Sequence, residues 1–158
     1  NAEGLGSTRR AELRAAAATL GIAQHCVEVV DHPQLQDGMD QSWPSDVIAG
    51  LVIDFVKRHQ IQTLLTFDSW GVSGHPNHRA ISNALSTMVD NGSLQVPVWQ
   101  LNSAWLHVKF LGLLGVLIIW THFLITRHLS TPGSRIYFIC PSMLPSMRAM
   151  RAHRSQFV

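Results

Sequence analysis

Thr63-Leu64-Leu65-Thr66-Phe67, running into Asp68-Ser69-Trp70-Gly71-Val72-Ser73-Gly74-His75-Pro76-Asn77-His78, decides the fold of this chain. The first five residues are a short apolar run that reads as a buried parallel strand. Glycines and polar residues break the run after Phe67, and a helix starts near Pro76 or Asn77 and ends before Gly92. Val96, Val98 and Leu101 then alternate as in another strand. Strand, loop, helix and strand in this order predict an α/β layered fold with a mainly parallel sheet. Ligand sites in such sheets lie at the carboxyl ends of strands, which is where the loop after Phe67 falls.

Upstream the same alternation continues. Ser7 or Thr8 can cap a helix running to about Leu20, carried by the good helix formers Ala15 to Ala18 and stopped at Gly21. Cys26-Val27-Glu28-Val29-Val30 reads as a short strand bounded by Asp31-His32-Pro33. A polar loop extends through Asp40. Pro44 suits the first turn of a second helix, about Ser45 to His59, with Val47, Ile48, Leu51, Val52, Phe55 and Val56 at helical spacing.

Composition excludes several classes. Of 158 residues, 46% are hydrophobic and 14% charged, so the chain is not of the disordered, low-hydrophobicity kind. Two cysteines, Cys26 and Cys140, do not make a disulfide scaffold and point to a reducing compartment or to inert thiols. The net charge of +2 hides an asymmetry. Residues 1–90 carry six Lys/Arg and all ten acids, a balance of −4; residues 91–158 carry six Lys/Arg and no acid, a balance of +6. A basic second half suits an anionic surface, although ordinary basic residues flanking an apolar segment give the same count.

That apolar segment covers about residues 105–127, with FLGLLGVLIIWTHFLIT at 110–126 and His122 as the one ionisable residue of that inner stretch. Extended back to Trp105 the stretch reaches about 22 residues, near the length that crosses a bilayer, with His107 and Lys109 then near one end, where a lysine can snorkel. A buried helix, a hairpin insertion or a membrane-surface segment fits as well. Thr131-Pro132-Gly133-Ser134 reads as a turn, Ile136 to Cys140 as a last strand, and the residues from about Met143 as a basic terminal helix. On such a helix Arg148, Arg151 and Arg154 share a face that can meet anionic lipid. No aromatics interleave with these cations, so nucleic acid is not expected as a partner.

The sharpest chemical feature is His75-Pro76-Asn77-His78. Two imidazoles three residues apart, where a strand-end loop enters a helix, can converge on one site. Imidazole ligates zinc, and a second ring can act as an acid or an electrostatic stabiliser. The same pair also serves as a helix cap or surface loop. Asp68 can orient a ligating histidine, or bond its own turn. Asp37, in Gln36-Asp37-Gly38-Met39, can bind a sugar hydroxyl or close a turn. Arg9 and Arg10 open the first helix, where positive charge opposes the dipole, a weak pointer to an anionic or polar ligand. GxGxxG, P-loop, GxSxG and CxxC signatures are absent.

Taken in order, these pieces form a pattern. Asn1 to Gly6 with Arg9-Arg10-Ala11-Glu12-Leu13, Leu20-Gly21-Ile22, Leu35-Gln36-Asp37-Gly38, Thr66-Phe67-Asp68, Gly71 to His78, and Ala152-His153-Arg154-Ser155-Gln156 follow one another at familiar spacing. The chain resembles the PIG-L group of N-acetylglucosaminyl-phosphatidylinositol de-N-acetylases, within the LmbE-like zinc deacetylases. The resemblance covers residues 1 to about 103, then 135 to 158.

The resemblance implies a single LmbE-like domain over 1–158 with a three-layer, Rossmann-like, mainly parallel sheet that lacks its first strand. It implies Zn2+ as cofactor, with His78 as a metal ligand and His75 as the catalytic residue. His75 would stabilise the tetrahedral intermediate or protonate the amine leaving group. Arg10 and Asp37 map to sugar-contacting positions, and His153 lies near the pocket. The implied substrate is the glycolipid N-acetylglucosaminyl-phosphatidylinositol, met at a membrane surface on the cytoplasmic face of the endoplasmic reticulum, with no role for nucleic acid. The family's His-Pro-Asp-Asp motif, which brings two further ligands and the general base, belongs ahead of Asn1. The chain therefore reads as a fragment, expected by itself to be inactive or to bind zinc poorly. A deacetylase of another N-acetyl sugar and an inactive membrane-associated fragment are the competing readings.

Overall fold

Helix α2 (Ser45–His59) starts where the sequence places it, although Pro44 is its extended N-cap, whose carbonyl accepts from the Ile48 N–H. The computed structural model describes residues 4–103, 108, 111–126 and 142–156. Its described residues belong to two compact units, Asn1–Gln36 with Ile136–Val158, and Asp37–Arg135.

The second unit is built on a βαβ element. Strand β1 (Leu64–Phe67) pairs in parallel with β2 (Val98–Leu101), and the connection between them carries α4 (Pro76–Asp90). Parallel neighbours require such a crossover. The short α3 (Gly71–Gly74) lies in the loop between β1 and α4. Ile81, Leu85 and Met88 of α4 meet Ala49, Val52, Ile53 and Val56 of α2, together with Leu64, Leu94, Val96 and Val98. Both helices thus present an i, i+3/i+4, i+7 stripe to one core. The sheet has two strands among the described residues, and Leu65 of β1 is 62% exposed. The expected burial of β1 therefore holds for Thr66 but not for Leu65, because nothing described covers that face.

In the first unit, α1 (Gly6–Thr19) has Leu5 as its N-cap with no side-chain cap, so Ser7 and Thr8 lie inside the helix. Its end is as expected. Gly21, at φ +78°, donates to the Ala18 carbonyl and Ile22 donates to Ala17, a Schellman arrangement. The strand expected at Cys26 to Val30 is not formed. Gln24–Cys26 is a 3₁₀ turn, and Val27 is extended but joins no ladder among the described residues. A β-rich composition suits a pleated surface but supplies no neighbour for the strand's N–H and C=O groups.

The terminal helix is shorter than expected. Helix α6 (Leu144–Met150) stops at its C-cap Arg151, and Arg154–Gln156 is a separate 3₁₀ turn. Arg148, Arg151 and Arg154 therefore do not share one helix face. The turn at Thr131 to Ser134 and the strand at Ile136 to Cys140 lie outside the described residues.

Helix α5 (Leu113–Thr126) occupies the apolar stretch. Fourteen residues at about 1.5 Å each reach about 21 Å. Among the described residues no helix is long and apolar enough to cross a membrane. Yet α5 is apolar nearly all round, with Leu114, Leu117, Ile118, Trp120 and Ile125 exposed.

Candidate active site

Parallel register builds the site. Phe67 stands opposite Leu101, so the chains leaving the carboxyl ends of β1 and β2 run on side by side. Asp68 then meets Ser103. The Asp68 carboxylate accepts from the Ser103 N–H at 2.6 Å and from the Ser103 hydroxyl at 2.7 Å. It also accepts from the N–H groups of Trp70, at 3.2 Å, and Gly71, at 3.0 Å. Burial alone would raise the carboxyl; the bonds from Ser103, then those from Gly71 and Trp70, outweigh it and hold the group below its ordinary value of 3.8.

This anchored loop is tight. Gly71 has φ +62°, and a Cβ there would lie 2.8 Å from the His78 Cβ and 3.0 Å from the Arg79 nitrogen. Val72 follows at φ +68°, a strained conformation for a β-branched residue. Its N–H donates to the Ser103 Oγ at 2.8 Å. The loop thus brings the Gly71 carbonyl to 3.1 Å from His78 Nδ1. A carbonyl only accepts, so Nδ1 carries the proton and the neutral ring keeps a lone pair on Nε2. The His78 ring stacks on Phe67 at 4.4 Å between centroids.

His75 has the opposite polarity. It is the N-cap of α4, and its Nδ1 accepts from the Asn77 N–H at 3.3 Å. An N–H only donates, so the neutral His75 ring carries its proton on Nε2. The two ring centroids are 5.1 Å apart. One imidazole therefore offers a lone pair and its neighbour an N–H.

Asp37 reaches the same helix start: the Asn77 side-chain amide donates to its Oδ1 at 3.0 Å. Asn77 itself is 3% exposed. Asp37, Asp68, His75 and His78 thus all belong to the second unit. Arg10 and His153 belong to the first. The Arg10 guanidinium lies 3.2 Å from Asp31 on the surface, a pair worth about 0–1 kcal/mol and easily opened. His153 stands near Glu12, whose carboxylate accepts from the Ser155 N–H and hydroxyl. His153 Nδ1 is buried with no hydrogen-bond partner among the described residues.

Sequence reasoning missed Ser103, Asn77 and the Glu12–Ser155 tie. Ser103 follows from strand register, which periodicity does not supply. Asn77 lies inside the quoted motif, where the sequence marks it only as a possible helix start and assigns its side chain no role. Both Glu12 and Ser155 lie in quoted motifs, and only folding joins them.

Among the described residues no three His, Cys, Asp or Glu side chains gather to hold a metal. The His78 Nε2 lone pair fits a single zinc contact, with its far nitrogen held by a carbonyl as ligating histidines usually are.

A family model described as PIG-L, GlcNAc-PI de-N-acetylase, matches residues 1–89, more than half of the chain. The chain belongs to the PIG-L family. Curated PIG-L relatives agree. It is 40% identical over 117 residues to a probable N-acetylglucosaminyl-phosphatidylinositol de-N-acetylase of Schizosaccharomyces pombe, covering 74% of this chain and 47% of that protein. It is 43% identical over 95 residues to the de-N-acetylase of Saccharomyces cerevisiae, covering 58% of this chain and 31% of the relative. The Bos taurus de-N-acetylase is 34% identical over 113 residues, with coverages of 70% and 45%. The chain thus spans less than half the length of each of these relatives. No solved structure matches it.

Proposed function

We propose that this chain is part of a zinc-dependent deacetylase that converts N-acetylglucosaminyl-phosphatidylinositol to glucosaminyl-phosphatidylinositol, a step in making glycosylphosphatidylinositol anchors. The observation that carries this reading is the paired histidine geometry: at the strand end, His78 offers an Nε2 lone pair and His75 an Nε2–H. The names of the relatives supply the substrate class.

His78 would hold zinc through Nε2. The bound metal supplies a polarised acetamide carbonyl and an activated water. The His75 Nε2–H suits hydrogen bonding to the oxyanion of the tetrahedral intermediate. Protonating the amine instead requires a doubly protonated ring, which forfeits the bond from the Asn77 N–H. The cap therefore favours electrostatic stabilisation as the role of His75. By resemblance, Arg10 and Asp37 contact the sugar and His153 lines the pocket. The parallel βαβ unit is consistent with a three-layer, Rossmann-like sheet.

The glycolipid substrate requires a membrane surface, and α5 supports one. Its exposed Leu, Ile and Trp side chains form the kind of patch that meets lipid or protein. We place the reaction at the cytoplasmic face of the endoplasmic reticulum by family analogy.

The test is acetate release by a protein carrying these residues behind the family's His-Pro-Asp-Asp motif. Turnover of the glycolipid supports the reading. Activity confined to soluble N-acetyl sugars would favour a different LmbE-like deacetylase. No turnover of either, with vesicle binding retained, would favour an inactive membrane-associated product.

A further inference from the structure

We infer that Ser103 is a positioning residue that sets the tautomer of His78. The inference rests on the reading of His78 as the metal-facing imidazole, yet it concerns only bonds within this chain. Ser103 acts at both ends of the loop between them. Its hydroxyl donates to Asp68 and accepts from the Val72 N–H, and its own N–H donates to the second Asp68 oxygen. Asp68 in turn holds the Trp70 and Gly71 N–H groups. Val72 would leave its φ of +68° readily if unheld, because that region is costly for a β-branched residue.

The peptide between Gly71 and Val72 is the link. Its N–H end is fastened to Ser103 and its carbonyl end to His78 Nδ1. Freeing the N–H frees the peptide plane to rotate, because the amide is planar and moves as one body. Rotation withdraws the carbonyl from Nδ1, and the proton is then no longer fixed there. Ser103 thereby controls which His78 nitrogen carries the lone pair, without touching the ring.

The test is 15N NMR of the 158-residue chain, labelled at histidine and free of metal, with the rings neutral. His78 in the unaltered chain should show a protonated Nδ1 and a lone-pair Nε2, while His75 shows the reverse. Ser103→Ala should move the His78 nitrogens toward each other's values and leave His75 unchanged; Ser103→Thr, which keeps the hydroxyl, should restore the pattern. If the Ala variant fails to fold, Ser103→Cys keeps the volume with a weak donor and should shift His78 in the same direction. An unchanged His78 pattern in a folded Ala or Cys variant would overturn the inference, as would an Nε2–H form in the unaltered chain. Failure to deacetylate with the predicted NMR pattern intact would count against the proposed function alone.

Discussion

Glu12 and Ser155, 143 positions apart in sequence, are joined by two hydrogen bonds: the Glu12 carboxylate accepts from the Ser155 N–H at 2.8 Å and from its hydroxyl at 2.7 Å. The bonds from the Ser155 hydroxyl and then its N–H lower the Glu12 pKa, against a smaller opposing effect of burial, with help from His153 and Arg9. The pair ties α1 to the 3₁₀ turn at Arg154–Gln156. Glu12→Gln should speed hydrogen exchange at the Ser155 amide, and Ser155→Ala should do so less, because its N–H bond survives. Equal exchange in all three proteins would mean that the turn does not depend on this tie.

Gly71 is the position where a single methyl group does the most harm to the site. A Cβ at 2.8 Å from His78 cannot be accommodated without movement, and φ +62° is unfavourable for alanine. Gly71→Ala should cost about 1–3 kcal/mol in urea denaturation and displace the His78 ring resonances. A variant as stable as the parent would show that the loop is looser than its geometry.

His75 should separate capping from chemistry. Asparagine is a strong N-cap and alanine a poor one. His75→Ala should lose about 0.5–2 kcal/mol of stability, while His75→Asn should lose little. In a protein supplied with the upstream motif, both should lose most of their acetate release. Activity retained in the Asn variant would remove His75 from the reaction.

Asp68 should make stability depend on acid. Its folded pKa is lowered, so folding favours the carboxylate. The contribution is complete above the ordinary value of 3.8 and is lost as pH falls through the lower folded value. Asp68→Asn should destabilise the chain by about 1–3 kcal/mol near neutrality, with the gap closing as the acid range is entered. Chemical denaturation of both proteins across that range measures it; a constant gap would mean that another group carries the effect.

Much of this architecture was legible because its signals are local. The apolar stripe of α2, the Pro76 start of α4 and the Thr63 to Phe67 run each mark their elements within a few residues. What was not legible depends on partners. Val27 to Val30 has strand composition but joins no strand ladder among the described residues. Ser7 and Thr8 are good caps in isolation, yet the helix begins before them. The Asp68–Ser103 contact follows from a register no periodicity encodes. His75 and His78 were found by their spacing, but their opposite tautomers come from the Asn77 N–H and the Gly71 carbonyl.

The most direct test of the account is His78→Ala in a protein that carries the His-Pro-Asp-Asp motif ahead of this chain, with zinc content and acetate release from N-acetylglucosaminyl-phosphatidylinositol measured together. Loss of turnover with a fall in bound zinc is the predicted result. Unchanged zinc and unchanged turnover would contradict the assignment of His78 as a ligand, and with it the chemistry proposed for the site.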